Sequence, residues 1–471
     1  MTPSLLVLLL SCDTQAPTWA RASVMTDLSQ GIGGPKALAQ PGDVALENDR
    51  VRFVVMGGRT SIGPGLFGGT IIDADLQRAD PTFSQGRGND RFAELIPTVN
   101  MNVAMTDEPE EVVIVNDGSD GGPAIVRAVG ESEPFISLLG GLWAIVGAPD
   151  FTIITEYELA PGKPYVTMRT TAFFGPQDTL PDTTTAVPGA TGSLPLLTYA
   201  LETGVAFGDF YLQGGHVDVF APGMGFDEDG AVYAAEVEGR NTFHDPFVLD
   251  FIGGSAEGVS YALASLDGEM FVPLFTSSQT AGFGAGVEGD VDDSDRFPPL
   301  TALTYTRVFA LGDGDIGSAL EVVWTARQEA GVALSLGNVS GNVYDPRSLH
   351  PLSDVKVFAY APGAETPTLE WTTDVSLDDH VDDGSFAGVL PVGDWELLVH
   401  EQGRPLNARL PITVSADSPL TLTLLAGRSG DVSFHIFDEQ DMQVPAKVTI
   451  LPADGGPVVR DPVLGLSLIH I

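Results

Sequence analysis

Chemistry in a protein concentrates at histidines, cysteines and grouped carboxylates, and in this sequence each class is sparse or loosely spaced. The seven histidines are His216, His244, His350, His380, His400, His435 and His470. No two stand at the His-x-His, His-x-x-His or His-Glu-x-x-His spacing that brings two imidazoles to one metal ion. His216 and Asp218 would share one face of a strand, as a metal pair requires, and His244 directly precedes Asp245; a structural histidine is the commoner reading of both. Asp290, Asp292, Asp293 and Asp295 group enough hard oxygens to suit calcium, as do Asp227-Glu228-Asp229-Gly230 and the run from Asp378 to Asp383. None completes the Asp-x-Asp-x-Asp-Gly loop with its distal glutamate. Gly284-Ala285-Gly286-Val287-Glu288-Gly289 matches a dinucleotide fingerprint in letters only. That motif works by aiming helix-terminal amides at a pyrophosphate, whereas here a run of aspartates follows, which excludes a nucleotide. No Gly-x-Ser-x-Gly nucleophile elbow occurs.

Cys12 is the sole cysteine, so no intrachain disulfide can form. It follows the apolar run from Leu5 to Leu10 and the small Ser11, the order of a signal-peptide core and its cleavage site. The tetrad Leu9-Leu10-Ser11-Cys12 resembles the lipobox of bacterial lipoproteins, although Met1-Thr2-Pro3 lacks the usual basic side chain. That resemblance implies a lipid on Cys12, and acyl chains worth about 0.8 kcal/mol per buried methylene would tether the body to a membrane. Downstream, no stretch reaches the 18 or so apolar residues of a membrane-spanning helix. The expected location is the cell envelope, lipid-anchored, on the periplasmic or outer surface.

The elements that must position any site are strands. The 471 residues allow two to four domains at about 100–200 residues each. Fifty-five glycines and 34 prolines beside 43% hydrophobic residues are too turn-rich for a helical bundle and too apolar for a disordered chain. A formal charge of −42, from 22 Lys+Arg against 64 Asp+Glu, repels phosphate backbones, so nucleic acid is excluded as a partner. Val44 to Asn48 and Val51 to Met56 form a hairpin about Asn48-Asp49. Phe151 to Leu159 and Tyr165 to Thr171 form another about Pro161-Gly162. One helix is predicted, over Asp315 to Arg327, with Ile316, Ala319, Leu320 and Val323 at 3–4 spacing behind an aspartate cap.

The opening run Leu46-Glu47-Asn48-Asp49-x-Val51-Arg52-Phe53, followed by Gly68-Gly69-Thr70-Ile71-Ile72-Asp73, resembles the start of galactose-mutarotase-like supersandwich domains. That resemblance implies a histidine and a carboxylate at a cleft, and His216, His244 and Glu94 are the catalytic candidates it leaves. The series Val339 to Asp345, Pro351 to Ala359, Asp383 to Phe386 and Leu390 to Val399 resembles the carboxypeptidase regulatory-like domain. The implied fold is a seven-stranded prealbumin-type sandwich, and the implied role is support without chemistry. Residues from Gly430 to Ile450 repeat the same grammar, and the apolar Leu466 to Ile471 looks like sequencing read-through.

The expected organisation is therefore a mostly β chain. Residues 1–11 are a lipoprotein signal peptide, 12–40 a flexible tether, and 41–328 a β-rich supersandwich. Residues 334–426 are a regulatory-like β-sandwich, 429–466 the start of a further β unit, and 467–471 an artefactual tail. The order of parts resembles the amino-terminal half of exported PHP-type metallohydrolases of the carbaryl-hydrolase family. A non-catalytic, membrane-anchored scaffold or glycan-binding segment, accessory to a downstream metallohydrolase domain, is the expected function. The alternative is a carbohydrate-active enzyme of mutarotase or lyase type. Carbohydrate and a membrane are the expected partners, calcium the one candidate cofactor, and Trp143, Trp371 and Trp395 the rings that could stack on a sugar.

Overall fold

The computed structural model describes residues 18–61, 63, 65–78, 88–135, 151–174, 206–214, 217–222, 225–226, 247–266, 270–276, 280–286, 302–375, 382–428, 436–440 and 442. The chain is mostly β. Its first body comprises β1 (Ala20–Val24), β2 (Val44–Asn48), β3 (Val51–Val55), β4 (Ile71–Leu76), β5 (Phe92–Val99), β6 (Asn102–Met105), β7 (Val112–Asn116), β8 (Ala124–Pro134) and β9 (Thr152–Leu159). It continues through β10 (Tyr165–Phe173), β11 (Ala206–Gln213), β12 (Asp218–Phe220), β13 (Phe247–Leu249), β14 (Ile252–Ala256), β15 (Val259–Ser265), β16 (Met270–Thr276), β17 (Thr280–Gly286) and β18 (Ala302–Gly312), and closes with helix α1 (Ile316–Glu329).

These strands form one 18-stranded antiparallel system folded into two facing layers. One layer runs β1-β2-β3-β4-β5-β11-β17-β16-β13. The other places β6 and β7 along successive halves of β8, then runs β9-β10-β18-β15-β14-β12. The turn from β5 to β6, with Asn100 and Met101 in the left-handed region, joins the layers at a corner. Alternation sends every second side chain of β5, β15 and β18 inward, so Phe92 meets Phe309 at 5.0 Å and Tyr261 at 5.5 Å between ring centres. This is the supersandwich expected of the first body. Gly284 and Gly286 lie in strand β17.

Between the layers lies a fully buried ion pair. Arg307 on β18 donates through Nε to Asp209 on β11 at 2.8 Å and through Nη1 to Thr170 Oγ1 at 2.7 Å, with a second bond from Nη2 to the same carboxylate. A pair this deep contributes little net stability, but removing one partner strands the other charge in the core.

The amino-terminal segment departs from expectation. A tether was expected to residue 40, yet Ala20–Val24 pairs with β2, and Met25 and Ile32 are buried in a small cluster with Ala45, Val54, Met56 and Ile72. The reason is polar: Asp73 accepts the amides of Leu38 and Ala39 at 2.7 and 3.1 Å, pinning a low-complexity stretch to the sheet.

The second body is the expected seven-stranded sandwich: β19 (Leu336–Tyr344), β20 (Lys356–Tyr360), β21 (Leu369–Thr372), β22 (Ser385–Pro391), β23 (Gly393–His400), β24 (Leu410–Val414) and β25 (Leu420–Leu425). Its sheets are β22-β19-β25 and β21-β20-β23-β24. Residues 436–440 and 442 aside, the further β unit expected over 429–466 lies outside the described residues, as do the signal peptide and the tail.

The two bodies share one continuous hydrophobic core, and α1 is the joint. Asp315 caps the helix by accepting the Ser318 amide at 2.7 Å and also receives the Thr372 amide from β21 at 3.1 Å. Glu370 accepts the Ile316 amide at 3.0 Å, and Lys356 Nζ at 2.9 Å balances it. Fully buried Trp371 lies against both Gly317 of α1 and Gly388 of β22, where neither glycine leaves room for a Cβ.

Two outcomes follow for stability. Gly317→Ala gains about 1 kcal/mol of helix propensity but drives a methyl into the Trp371 indole, at a typical overpacking cost of 1–3 kcal/mol. Urea unfolding should therefore show a net loss of up to about 2 kcal/mol, and a stabilised variant would refute this packing. Arg307→Met should cost about 3–5 kcal/mol by the same assay, because Asp209 is left buried without its cation.

Candidate functional site

A groove of about 510 Å³ lies at one end of the supersandwich, within the size range of ligand sites. Three elements build it. The β2–β3 turn brings Asp49 and Arg50, the β9–β10 turn brings Gly162, Lys163 and Pro164 ahead of Tyr165, and α1 lays Ser318, Glu321, Val322 and Thr325 along the third side. Leu76, Gln77 and the end of β18 at Leu311, Gly312 and Asp313 complete the lining.

Local sequence explains the geometry. Asn48 Oδ1 accepts the amides of Arg50 at 2.8 Å and Val51 at 2.9 Å, an Asx turn that shapes the first hairpin. Its Nδ2 then donates to Ala160 O and Lys163 O, each at 2.8 Å, which locks the first turn to the second. Asp49 adds an acceptor for the Gly162 amide at 2.9 Å, where Gly162 holds φ of +75° as only glycine does cheaply. On the helix side, Tyr165 donates its hydroxyl to Glu329 at 2.7 Å, and Lys163 pairs with the same carboxylate. Burial and the Glu329 charge push the Tyr165 phenol well above its ordinary range.

The groove therefore mixes hydrogen-bonding side chains with a small apolar floor from Leu76, Leu311 and Val322. Glu321 is half-buried there, and loss of water around it, reinforced by the nearby Asp313 charge, raises its carboxyl above the usual value. Such a lining can orient a polyhydroxylated ligand by direct hydrogen bonds.

Of the candidate catalytic residues, Glu94 is placed and the others are not. It lies on β5, wholly buried beneath the glycine-rich segment between β3 and β4, where it accepts the Gly65 amide at 2.7 Å and the Thr70 hydroxyl at 2.8 Å. Desolvation raises its pKa, with those two bonds and the Arg59 charge opposing. A Cβ at Gly63 or Gly65 would meet this carboxylate, so Glu94 acts as the clasp of that loop. His216 and His244 lie outside the described residues, as do the calcium candidates Asp290, Asp292, Asp293 and Asp295, the lipidation candidate Cys12, and Trp143. Among the described residues no group of three His, Cys, Asp or Glu could hold a metal ion. His400 packs its ring against Phe358 at 6.0 Å in the core of the second body. Trp371 is buried away from any ligand, and Trp395 donates to Pro391 O at 2.8 Å from a half-buried position.

The groove residues were missed in the sequence because each is unexceptional alone. The only signals were the Asn48-Asp49 turn and the aspartate cap of α1, which report shape and not ligand.

No protein-family model matches the chain and no curated protein is similar to it. Among solved structures it is similar to a proposed aldose 1-epimerase from Klebsiella pneumoniae, at 10% identity over 66% of this chain and 95% of that one, with a TM-score of 0.30. An α-mannosidase from Enterococcus faecalis matches at 10% identity over 82% of this chain and 42% of its own, with a TM-score of 0.34. A polysaccharide lyase matches at 10% identity over 85% and 47% of the respective chains, with a TM-score of 0.21. These likenesses assign no residue a role.

Buried carboxylates govern the response to pH. Burial lifts Asp73 and Asp209 to about 6, against 3.8 for the ordinary group. In both cases the folded state binds the proton more readily than the unfolded chain, so stability rises as pH falls from about 6 toward 4. Asp345 and Asp374, held low by hydrogen bonds, give stability only above their ordinary value and lose it in stronger acid. Thermal melts should rise by a few degrees from pH 7 to pH 5, on the order of 1 kcal/mol per buried group, and fall again below pH 4. A melt that declines monotonically below pH 7 would contradict these burials.

Proposed function

We propose that the chain is a carbohydrate-binding scaffold exported to the cell envelope and held there through a lipid on Cys12. The observation that carries the binding reading is the groove of about 510 Å³ between two interlocked hairpin turns and α1. Sugars are bound by convergent planar polar side chains beside a modest apolar surface, and Arg50, Gln77, Asp313, Glu321 and Thr325 with Leu76 and Val322 supply that combination. The walls are rigid before any ligand arrives, because Asn48 ties the two turns together and Asp315 fixes the helix. Preorganisation of this kind lowers the entropy lost on binding. In the fuller proposal the protein stands ahead of a metal-dependent hydrolase domain and presents glycan to it, a reading supported by the order of its parts.

Glycan microarrays followed by calorimetry test the groove directly. Binding to an oligosaccharide should weaken at least fivefold in Arg50→Ala and in Gln77→Ala, both exposed positions with little structural burden. Unchanged affinity in both variants would move the ligand elsewhere and refute the groove. The anchor has its own readout: radiolabelled palmitate should enter the native protein in cells and be absent from Cys12→Ala.

A further inference from the structure

We infer that the protein docks groove-first on the membrane that holds the Cys12 lipid, with the zwitterionic headgroup layer as its partner and Trp19 as the ring that seats there; this rests on the lipid anchor of the proposed function. The chain enters the fold at the groove. β1 pairs with β2 in the register Ala20 to Asn48 and Val24 to Val44, so β1 starts beside the Asn48-Asp49 turn and runs away from it. The Trp19 amide donates to Asp49 Oδ1 at 3.2 Å, and the same oxygen takes the Gly162 amide at 2.9 Å. A Cβ on Gly162 would stand 3.1 Å from Thr18 Cγ2. Asp49 and Gly162 both line the groove, so Thr18 and Trp19 stand at its rim.

Tether length then fixes which end of the supersandwich can meet the bilayer. Only residues 13–17 lie between Cys12 and Thr18, and that stretch reaches at most about 22 Å when fully extended. β3 and the residues to Gly58, against which the Glu108 carbonyl packs, carry the chain about 25 Å to the opposite end, too far for the tether to run back over. The rim itself suits a headgroup layer. Trp19 is 37% exposed, and the guanidinium of Arg21, which also pairs with Glu47, lies 5.9 Å from its ring centre. An indole beside a cation favours that layer, because the ring enters the apolar boundary while the guanidinium meets phosphate. Arg50 is exposed on the same rim. The chain's charge of −42 opposes adsorption to an anionic surface, so the lipid supplies proximity and zwitterionic headgroups accept the contact.

The test uses the native lipidated chain reconstituted in phosphatidylcholine vesicles. Cys12 is the sole cysteine and carries the lipid, so one dye can be attached at Gln77→Cys in the groove or at Glu110→Cys, exposed near the far end. Energy transfer to acceptor dyes on the lipid headgroups should be at least about twofold stronger from Gln77→Cys than from Glu110→Cys, as a height difference of about 25 Å requires. Phosphatidylcholine brominated just below the headgroup should quench about a fifth of the native tryptophan emission, the share of one ring among the 5 present, and Trp19→Phe should lose that quenching. Equal transfer from the two labels, or stronger transfer from Glu110→Cys, in protein that stays with the vesicles would overturn the orientation while leaving the anchor intact. Quenching that persists in Trp19→Phe, or is absent from the native protein, would overturn the seating of this ring. A chain that carries no lipid and washes off the vesicles would overturn both the anchor and the docking.

Discussion

Carboxylates outnumber cationic side chains almost threefold in this chain, so most acids that enter the interior must be held by something other than lysine or arginine. Backbone amides fill that role. Asp43 takes the amides of Gln40 and Gly57, Asp73 those of Leu38 and Ala39, Asp90 those of Ala74 and Phe92, Glu94 that of Gly65, and Glu370 that of Ile316. Burial raises Asp73, Asp90 and Glu94 above their ordinary pKa, and the amide bonds draw them only part of the way back. The same bonds tie loops to sheets. Shortage of cations thus becomes a way of fastening irregular chain, and the glycine-rich segments supply approachable backbone where side chains would block it.

The few cations go to buried acids at junctions, several of which amides also hold. Arg307 sits between the facing layers, far from any turn, and is the partner that Asp209 requires there. Arg78 serves Asp75, and Arg59 reaches Asp43 at 3.0 Å beside the loop that Glu94 clasps. Lys356 balances Glu370 at the joint of the two bodies, with its ammonium also 4.7 Å from the Phe226 ring centre. Charge is placed sparingly and at junctions, which is how an acidic chain retains one continuous core across two β bodies.

Much of this architecture was legible in the sequence, for reasons that differ by element. The β2–β3 and β9–β10 hairpins announced themselves because period-two hydrophobicity stops at Asn48-Asp49 and at Pro161-Gly162, and α1 because Asp315 precedes a 3–4 apolar pattern. The seven strands of the second body followed from turn residues in order. The amino-terminal strap was not legible: its order depends on Asp73, 34 and 35 residues away from the amides it holds. Glu94 read as a catalytic candidate because nothing local says that a glycine loop will close over it. The groove was invisible for the same reason, since Arg50, Lys163 and Glu321 meet only after two hairpins and a helix have converged.

That convergence makes α1 the element on which site and scaffold both depend. One end of the helix is fastened by the second body, through Glu370 on the Ile316 amide and Thr372 on the Asp315 cap. Its flank from Ser318 to Thr325 forms one side of the groove, and Glu329 near its far end holds Lys163 and Tyr165 of the β9–β10 turn. Anions at a helix start and a lysine at its last turn both suit the helix dipole. A helix gripped at both ends has little freedom to shift its flank, so the second sandwich acts on the groove without touching it. The second body is then more than a spacer: it sets the position of the wall that carries Glu321.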